Sequence, residues 1–270
     1  MITINTKDYF NTFDETMPTK YKLNVMKNPK DIGYMINYFI KFLRKKADNK
    51  FISMDFEFNN CSFKKNNDKE YKLCIENSVG SKEIAIFQIL LEDDSIKEVD
   101  YQENIFLFYP GDLSEKQTNV LINLLTTPRI NKIIHGGESL DIPYIFKMLI
   151  KDKNQKVKFC RNLYDTKYIC EYNNLLKKTK DKCKIYYFIK EMGIINDNQF
   201  NTLLKNEEDM GEIWFINLDI KKLNDKVVLY SSFDVLYLRK LLNESEKRLS
   251  KREIDIISGF SSINFIYRSE

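Results

Sequence analysis

Strand-like and helix-like segments alternate through the middle of this 270-residue chain, and that order leaves few architectures open. YKLNVM, from residue 21, reads as a short strand. Asn28 then offers an N-cap, Pro29 suits the first helical position, and Ile32, Met35, Ile36, Phe39, Ile40 and Leu43 recur at three-and-four spacing as one apolar stripe. The strand FISMDFEF follows, then a polar Asn/Lys-rich stretch, residues 59–83, expected as a loop or protruding hairpin. EIAIFQIL resumes as a strand expected to pair with FISMDFEF. NIFLFYP, NKIIHGG and NLYDT supply further strands. Between them lie SEKQTNVLINLLTT, with Ser114 and Gln117 at capping-box spacing, and a helix expected over 139–150. YICEYNNLLKK and IYYFIKEM, the latter stopped at Gly193, continue the helical series. The alternation predicts an α/β fold: one mixed sheet flanked by helices, in a single domain, with functional residues near strand ends.

The composition excludes several classes. With 43% hydrophobic and 30% charged residues the chain can bury a full core, and no apolar run reaches the roughly 20 residues a membrane span requires. The N-terminus lacks an apolar secretory core and carries Asp8, Asp14 and Glu15, so an intracellular, soluble protein is expected. Cys61, Cys74, Cys160, Cys170 and Cys183 are odd in number and widely spaced, with His135 the single histidine. The pattern indicates neither a disulfide framework nor a structural zinc site. The net charge of +4 is compatible with a nucleic-acid partner without demonstrating one.

Three acidic sites carry the chemistry. In FISMDFEF, residues 51–58, Asp55 and Glu57 alternate with apolar neighbours and share one strand face, about 7 Å apart along the chain. Taken alone, the pair is either a wet edge or a pair of ligands for a divalent cation, because two converging anions in a core are unfavourable without a positive charge. The second site lies where the strand NKII runs through His135, Gly136 and Gly137 into a helix. Asp141 falls in the first helical turn, where dipole compensation would also explain it, and Glu138 is an equally acidic neighbour. The third is LNDKVVLYSSFDVLYLRKLL, a helix capped by Asn224, in which Tyr230 and Asp234 are four apart and share a face about 6 Å from each other.

The joint order of these motifs, with EIAIFQIL and NLYDT in their expected places, resembles the ribonuclease D-like branch of the DEDD 3′-to-5′ exonucleases, across roughly residues 20–245. The resemblance implies a ribonuclease H-like fold, a nuclease domain over 20–245, an N-terminal tail over 1–19 and a basic C-terminal helix or tail over 246–270. It implies that Asp55, Glu57, Asp141 and Asp234 bind two divalent cations, Mg²⁺ or Mn²⁺, and that Tyr230 marks the tyrosine subclass by positioning the attacking water. Asp55 would bridge the ions, Glu57 and Asp234 would complete the water-activating site, and Asp141 would support the second ion. The implied activity is release of nucleoside 5′-monophosphates from single-stranded nucleic acid, RNA favoured over DNA. A DNA-trimming exonuclease and a catalytically silent nucleic-acid-binding module are the alternatives. His135 matches a family HG dipeptide and is assigned a structural role. Its spacing to Asp141 is one residue longer than usual, which implies an insertion around Leu140. The family's Trp-containing loop is only partly echoed by IWFINL at Trp214. Candidate phosphate grips are Lys64, Lys65, Lys69 and Lys72, then Lys177, Lys178, Lys180, Lys182 and Lys184, then Lys247, Arg248, Lys251 and Arg252.

Overall fold

The computed structural model describes residues 3–5, 21–60, 63–66, 69–72, 78–79, 82–94, 103–210 and 218–268. Strand β1 (Thr3–Asn5) and β2 (Tyr21–Val25) precede helix α1 (Pro29–Arg44), which opens as the sequence predicts: the Asn28 side chain accepts from the Lys30 and Asp31 amides and Pro29 is the first helical residue. β3 (Lys50–Asn60) carries the carboxylate pair. The polar stretch contains a hairpin, β4 (Phe63–Asn66) with β5 (Lys69–Lys72), and then β6 (Ser78–Val79). β7 (Lys82–Asp93) and β8 (Glu103–Phe108) lead into α2 (Glu115–Thr126), where Gln117 reaches back to the Ser114 amide at 2.9 Å. β9 (Ile130–Ile134) is followed by α3, which is α-helical over Asp141–Tyr144 and π-helical over Ile145–Leu149.

Next come α4 (Lys153–Cys160), β10 (Leu163–Asp165), α5 (Thr166–Lys177) and α6 (Ile185–Glu191), with Gly193 at φ +73° ending the last. The chain continues through α7 (Asp197–Met210), α8 (Asp225–Leu236), α9 (Leu238–Arg248) and α10 (Lys251–Tyr267). The continuous helix expected over 224–242 is two helices, broken at Tyr237. Apolar spacing persists through the break because both halves bury one stripe, so periodicity alone could not reveal it.

The strands form one mixed sheet in the order β1-β2-β8-β7-β3-β9-β10, with β6 added to β7. β7 runs antiparallel to both β3 and β8, while β9 is parallel to β3 and β10. Five strands, β8-β7-β3-β9-β10, thus make the ribonuclease H-like core, flanked by helices on both faces. β1 lies in the segment expected as a tail and pairs antiparallel with β2. Alternation on β3 decides what each face meets. Ile52, Met54, Phe56 and Phe58 join Phe39, Leu121, Leu124 and Tyr144 in the core under α1, α2 and α3. Phe51, Ser53, Asp55 and Glu57 therefore face the other layer, where α8 crosses β3 and β7. Phe56 stacks on Phe87 across the strand pair, with ring centroids 4.1 Å apart. The register shifts between Glu57 and Phe58, a bulge that re-aims the strand directly beside the carboxylates.

One cysteine finding differs from the sequence expectation. Cys170 of α5 and Cys183, just before α6, are joined by a disulfide, with Cα atoms 5.8 Å apart. Their separation of 13 residues carries no recognisable spacing signal; they meet because the chain turns back between the two helices. Cys160 is a buried free thiol whose pKa burial pushes up to about 12. Cys61 and Cys74 lie outside the described residues. None of the described helices is long and apolar enough to cross a membrane.

Candidate metal centre

Asp55, Glu57 and Asp234 converge: each offers a carboxylate oxygen, and these oxygens all lie within 4.8 Å of one another. β3 supplies the first two from alternate positions, and α8, lying across that face, supplies the third. Asp141, the first helical residue of α3, is buried and close enough that Asp55 and Asp234 raise its pKa. Removal from water is the largest cause of the upward shift in all four carboxyls. It pushes Asp55 up to about 7 and holds Glu57, Asp141 and Asp234 well above the usual carboxylate range. Mutual repulsion adds to this, since Asp55, Asp234 and Asp141 each raise Glu57. Against this stand single hydrogen bonds: the Gln88 amide donates to Glu57 Oε1 at 3.2 Å, the Phe56 backbone lowers Asp55, and the Tyr186 hydroxyl lowers Asp234. Among the described residues no cation forms an ion pair with any of the four. The donor set is hard oxygen throughout, which fits Mg²⁺ or Mn²⁺ rather than a thiophilic metal.

Tyr230 stands one helical turn before Asp234 on α8. Its pKa is raised first by the Asp234 charge, then by burial, then by Glu57 and Asp55, so its hydroxyl keeps its proton beside the carboxylates. Glu207 of α7 adds a further negative charge felt by both Tyr230 and Asp234. Tyr186 of α6 donates its hydroxyl to Asp234 Oδ1 at 3.2 Å.

The loop into Asp141 is held by a residue that sequence reasoning did not single out. Asp165, at the end of β10, accepts from the Gly136 amide at 2.8 Å, the Gly137 amide at 3.1 Å and the Lys167 amide at 2.9 Å. Gly136 takes φ +74°, which favours glycine, and a Cβ on Gly137 would meet Ile134 Cδ1 at 2.7 Å, so that side chain would have to shift to admit one. Asp165 ends the strand NLYDT and caps α5, a placement legible only as a helix start. Leu140, where the sequence implies an inserted residue, is not helical, and the helix begins at Asp141.

Glu138 and Asp141 part company in this turn. Glu138 pairs with Lys167 at 2.7 Å, accepts from the Tyr168 hydroxyl at 2.6 Å and lies 3.8 Å from Arg268. These partners hold its carboxyl below the usual range, the hydrogen bond from Lys167 first among them. His135 is structural in its contacts: Nε2 meets the Cys183 carbonyl at 3.0 Å and so carries the hydrogen, leaving Nδ1, 2.9 Å from Thr166 Oγ1, as the acceptor. Burial lowers its pKa to about 4, and it stays neutral.

Of the suggested phosphate grips, Lys178, Lys180, Lys182 and Lys184 are exposed around the turn between α5 and α6, while Lys177 pairs with Glu191. Lys247 pairs with Glu244, Arg248 donates to the Glu191 carbonyl, and Lys251 and Arg252 are exposed. The side chains of Lys64, Lys65, Lys69 and Lys72 lie outside the described residues, as does Trp214.

No protein-family profile matches the sequence. Over 228 residues the chain is 30% identical to protein L533 of Acanthamoeba polyphaga mimivirus, itself uncharacterized. That match covers 79% of this chain and 39% of the relative, so the chain spans about two fifths of the curated protein it matches. Among solved structures, the catalytic core of RRP6 from Trypanosoma brucei aligns with a TM-score of 0.52 at 11% identity, covering 91% of this chain and 52% of that one. A point-mutant form of the same core gives 0.53 at 12%, covering 90% and 52%. The chain shares the fold of that core.

Proposed function

We propose that the chain is a metal-dependent 3′-to-5′ exonuclease of the ribonuclease D-like, tyrosine-bearing DEDD type, acting on single-stranded nucleic acid with RNA preferred over DNA. The observation that carries this reading is the convergence of the Asp55, Glu57 and Asp234 carboxylates, with Asp141 near enough to raise Glu57 further, all four with raised pKa values and no ion-paired cation among the described residues. Such acids are relieved either by taking up protons, as their raised pKa values indicate, or by a cation, and a divalent ion would relieve them at neutral pH while leaving them ionised as ligands. Asp55, Glu57 and Asp234 would hold one divalent ion, and Asp141, with Asp55 between, the other. Bound there, the two ions would supply Lewis acidity at the scissile phosphate and make a nucleophile of water at neutral pH.

The chain's own groups then have distinct tasks. Tyr230, protonated and beside Asp234, orients the attacking water through its hydroxyl and does not act as the base. The Gly136–Gly137 turn, pinned by Asp165, sets where Asp141 starts its helix. The core of RRP6 is the fold analogue, and analogy of fold by itself assigns no chemistry. Single-stranded RNA and DNA, labelled at the 5′ end and offered side by side with Mn²⁺, test the proposal. Products should shorten progressively from the 3′ end with release of nucleoside 5′-monophosphates, RNA faster. Intact substrate, or a labelled mononucleotide as the first product, would overturn it.

A further inference from the structure

Tyr186 is the second residue of α6, inside the run IYYFIKEM, where its spacing gives every sign of an ordinary core position. Its ring is 5% exposed and packs in the same core as Phe188, Ile189, Val227 and Phe233. Yet the hydroxyl is not lost in that core: it donates to Asp234 Oδ1, and this is the one hydrogen bond to the Asp234 carboxylate among the described residues. Tyr230, by contrast, influences Asp234 electrostatically while its own hydroxyl has no hydrogen-bond partner there, leaving it available to water. Two tyrosines thus approach one carboxylate from different helices, one committed to it and one not.

The support behind Tyr186 is firm. Three residues upstream, Cys183 is bonded to Cys170 of α5, and its carbonyl accepts from His135 Nε2 at 3.0 Å. Asn174 of α5 donates to the Asp181 carbonyl at 2.8 Å, tying the same segment a second time. The entry to α6 is therefore fastened to both α5 and the end of β9. A side chain on such an entry can hold a partner to a fixed position, where a free loop could not.

We propose that Tyr186 is a positioning residue for the metal site: by holding Oδ1 of Asp234 from behind, it sets the carboxylate rotamer so that the second oxygen faces Asp55 and Glu57 for ligation. This rests on the metal-site reading above and assigns within it a role the Y-x-x-x-D motif does not contain. A ligating carboxylate fixed by a hydrogen bond on its far oxygen loses less freedom on binding an ion, and loss of such a bond weakens metal affinity about 10- to 100-fold. Tyr230 makes no such bond, so the two residues separate in experiment.

The test is Mn²⁺ titration of the full chain by calorimetry, with parent, Tyr186→Phe, Tyr230→Phe and Asp234→Asn compared. Tyr186→Phe removes one oxygen and keeps the ring, so its metal-free far-UV spectrum should match the parent. Its dissociation constant for Mn²⁺ should rise about 10- to 100-fold. Turnover should recover as Mn²⁺ is raised to saturation, a rescue that a packing defect would not show. Tyr230→Phe should bind Mn²⁺ as the parent does. If the parent binds Mn²⁺ through Asp234 and Tyr186→Phe binds it equally well, the positioning role is wrong and the metal site stands. If the parent binds no Mn²⁺, both fall. Should Tyr186→Phe prove unfolded, 4-aminophenylalanine incorporated at position 186, which keeps the ring and a donor at the same reach, must restore both fold and Mn²⁺ affinity; a folded protein of that kind with weakened affinity would overturn the proposal.

Discussion

β3 and β7 run antiparallel through the centre of the sheet and meet charge at both ends, in opposite ways. Where β3 begins, Lys50 lies opposite Asp93, and each acid has a cation built in. Asp93 pairs with Lys45 at 2.9 Å, Asp94 with Arg239, and Glu92 lies 3.8 Å from Arg239. Lys50 itself donates to the Phe42 and Leu43 carbonyls, closing the end of α1. Further along the same pair, Asp55 and Glu57 meet two more carboxylates and no described cation. The first end is electrostatically complete as folded. The second holds acids whose charge the proposed ions would balance, and that is the physical difference between acids that stabilise a fold and acids that would bind.

The largest expected effects lie at the incomplete end. Asp55→Asn or Asp234→Asn should abolish Mn²⁺ binding and remove nearly all turnover, whereas Asp93→Asn should leave turnover intact; equal losses at both ends would erase the contrast. Asp141→Asn should behave like the first group. Tyr230→Phe should come next, with kcat reduced by about 10² to 10⁴ and metal binding unchanged, as read from single-turnover cleavage. Unimpaired single-turnover cleavage would make Tyr230 a packed helix residue.

The two ends should also differ in stability. Mn²⁺ at about a hundredfold excess over its dissociation constant should add about 2.7 kcal/mol, visible as a rise in melting temperature that Asp93→Asn retains and Asp234→Asn loses. The metal-free protein should also respond to pH. Asp55 is raised in the folded state to about 7 from 3.8, so its contribution is whole below about pH 4 and is lost as pH rises through about 7. Melting in EDTA should therefore fall across that window, and Mn²⁺ should reverse the trend; a flat metal-free profile would mean the fold does not hold the Asp55 carboxyl out of water. The smallest effect belongs to Glu138→Gln, which removes a partly exposed ion pair with Lys167 and should cost about 1 kcal/mol or less while leaving activity in place.

Much of the site is legible from neighbouring residues alone. Period-two alternation placed Asp55 and Glu57 on one face of β3, Asn28 and Pro29 marked the start of α1, and the four-residue step put Tyr230 and Asp234 on one side of α8. These are local consequences of backbone geometry, so neighbouring residues suffice to read them. The different surroundings of Glu138 and Asp141, three residues apart and equally acidic, are visible only in the folded chain. Lys167 and Tyr168 of α5 draw one away, while Asp165 of β10 sets the turn that delivers the other. The same holds for Tyr186 on Asp234, for Cys170 on Cys183 and for the break at Tyr237. Each depends on which distant element closes against which, and periodicity, which reports the face a residue occupies, carries no information about the partner that face will meet.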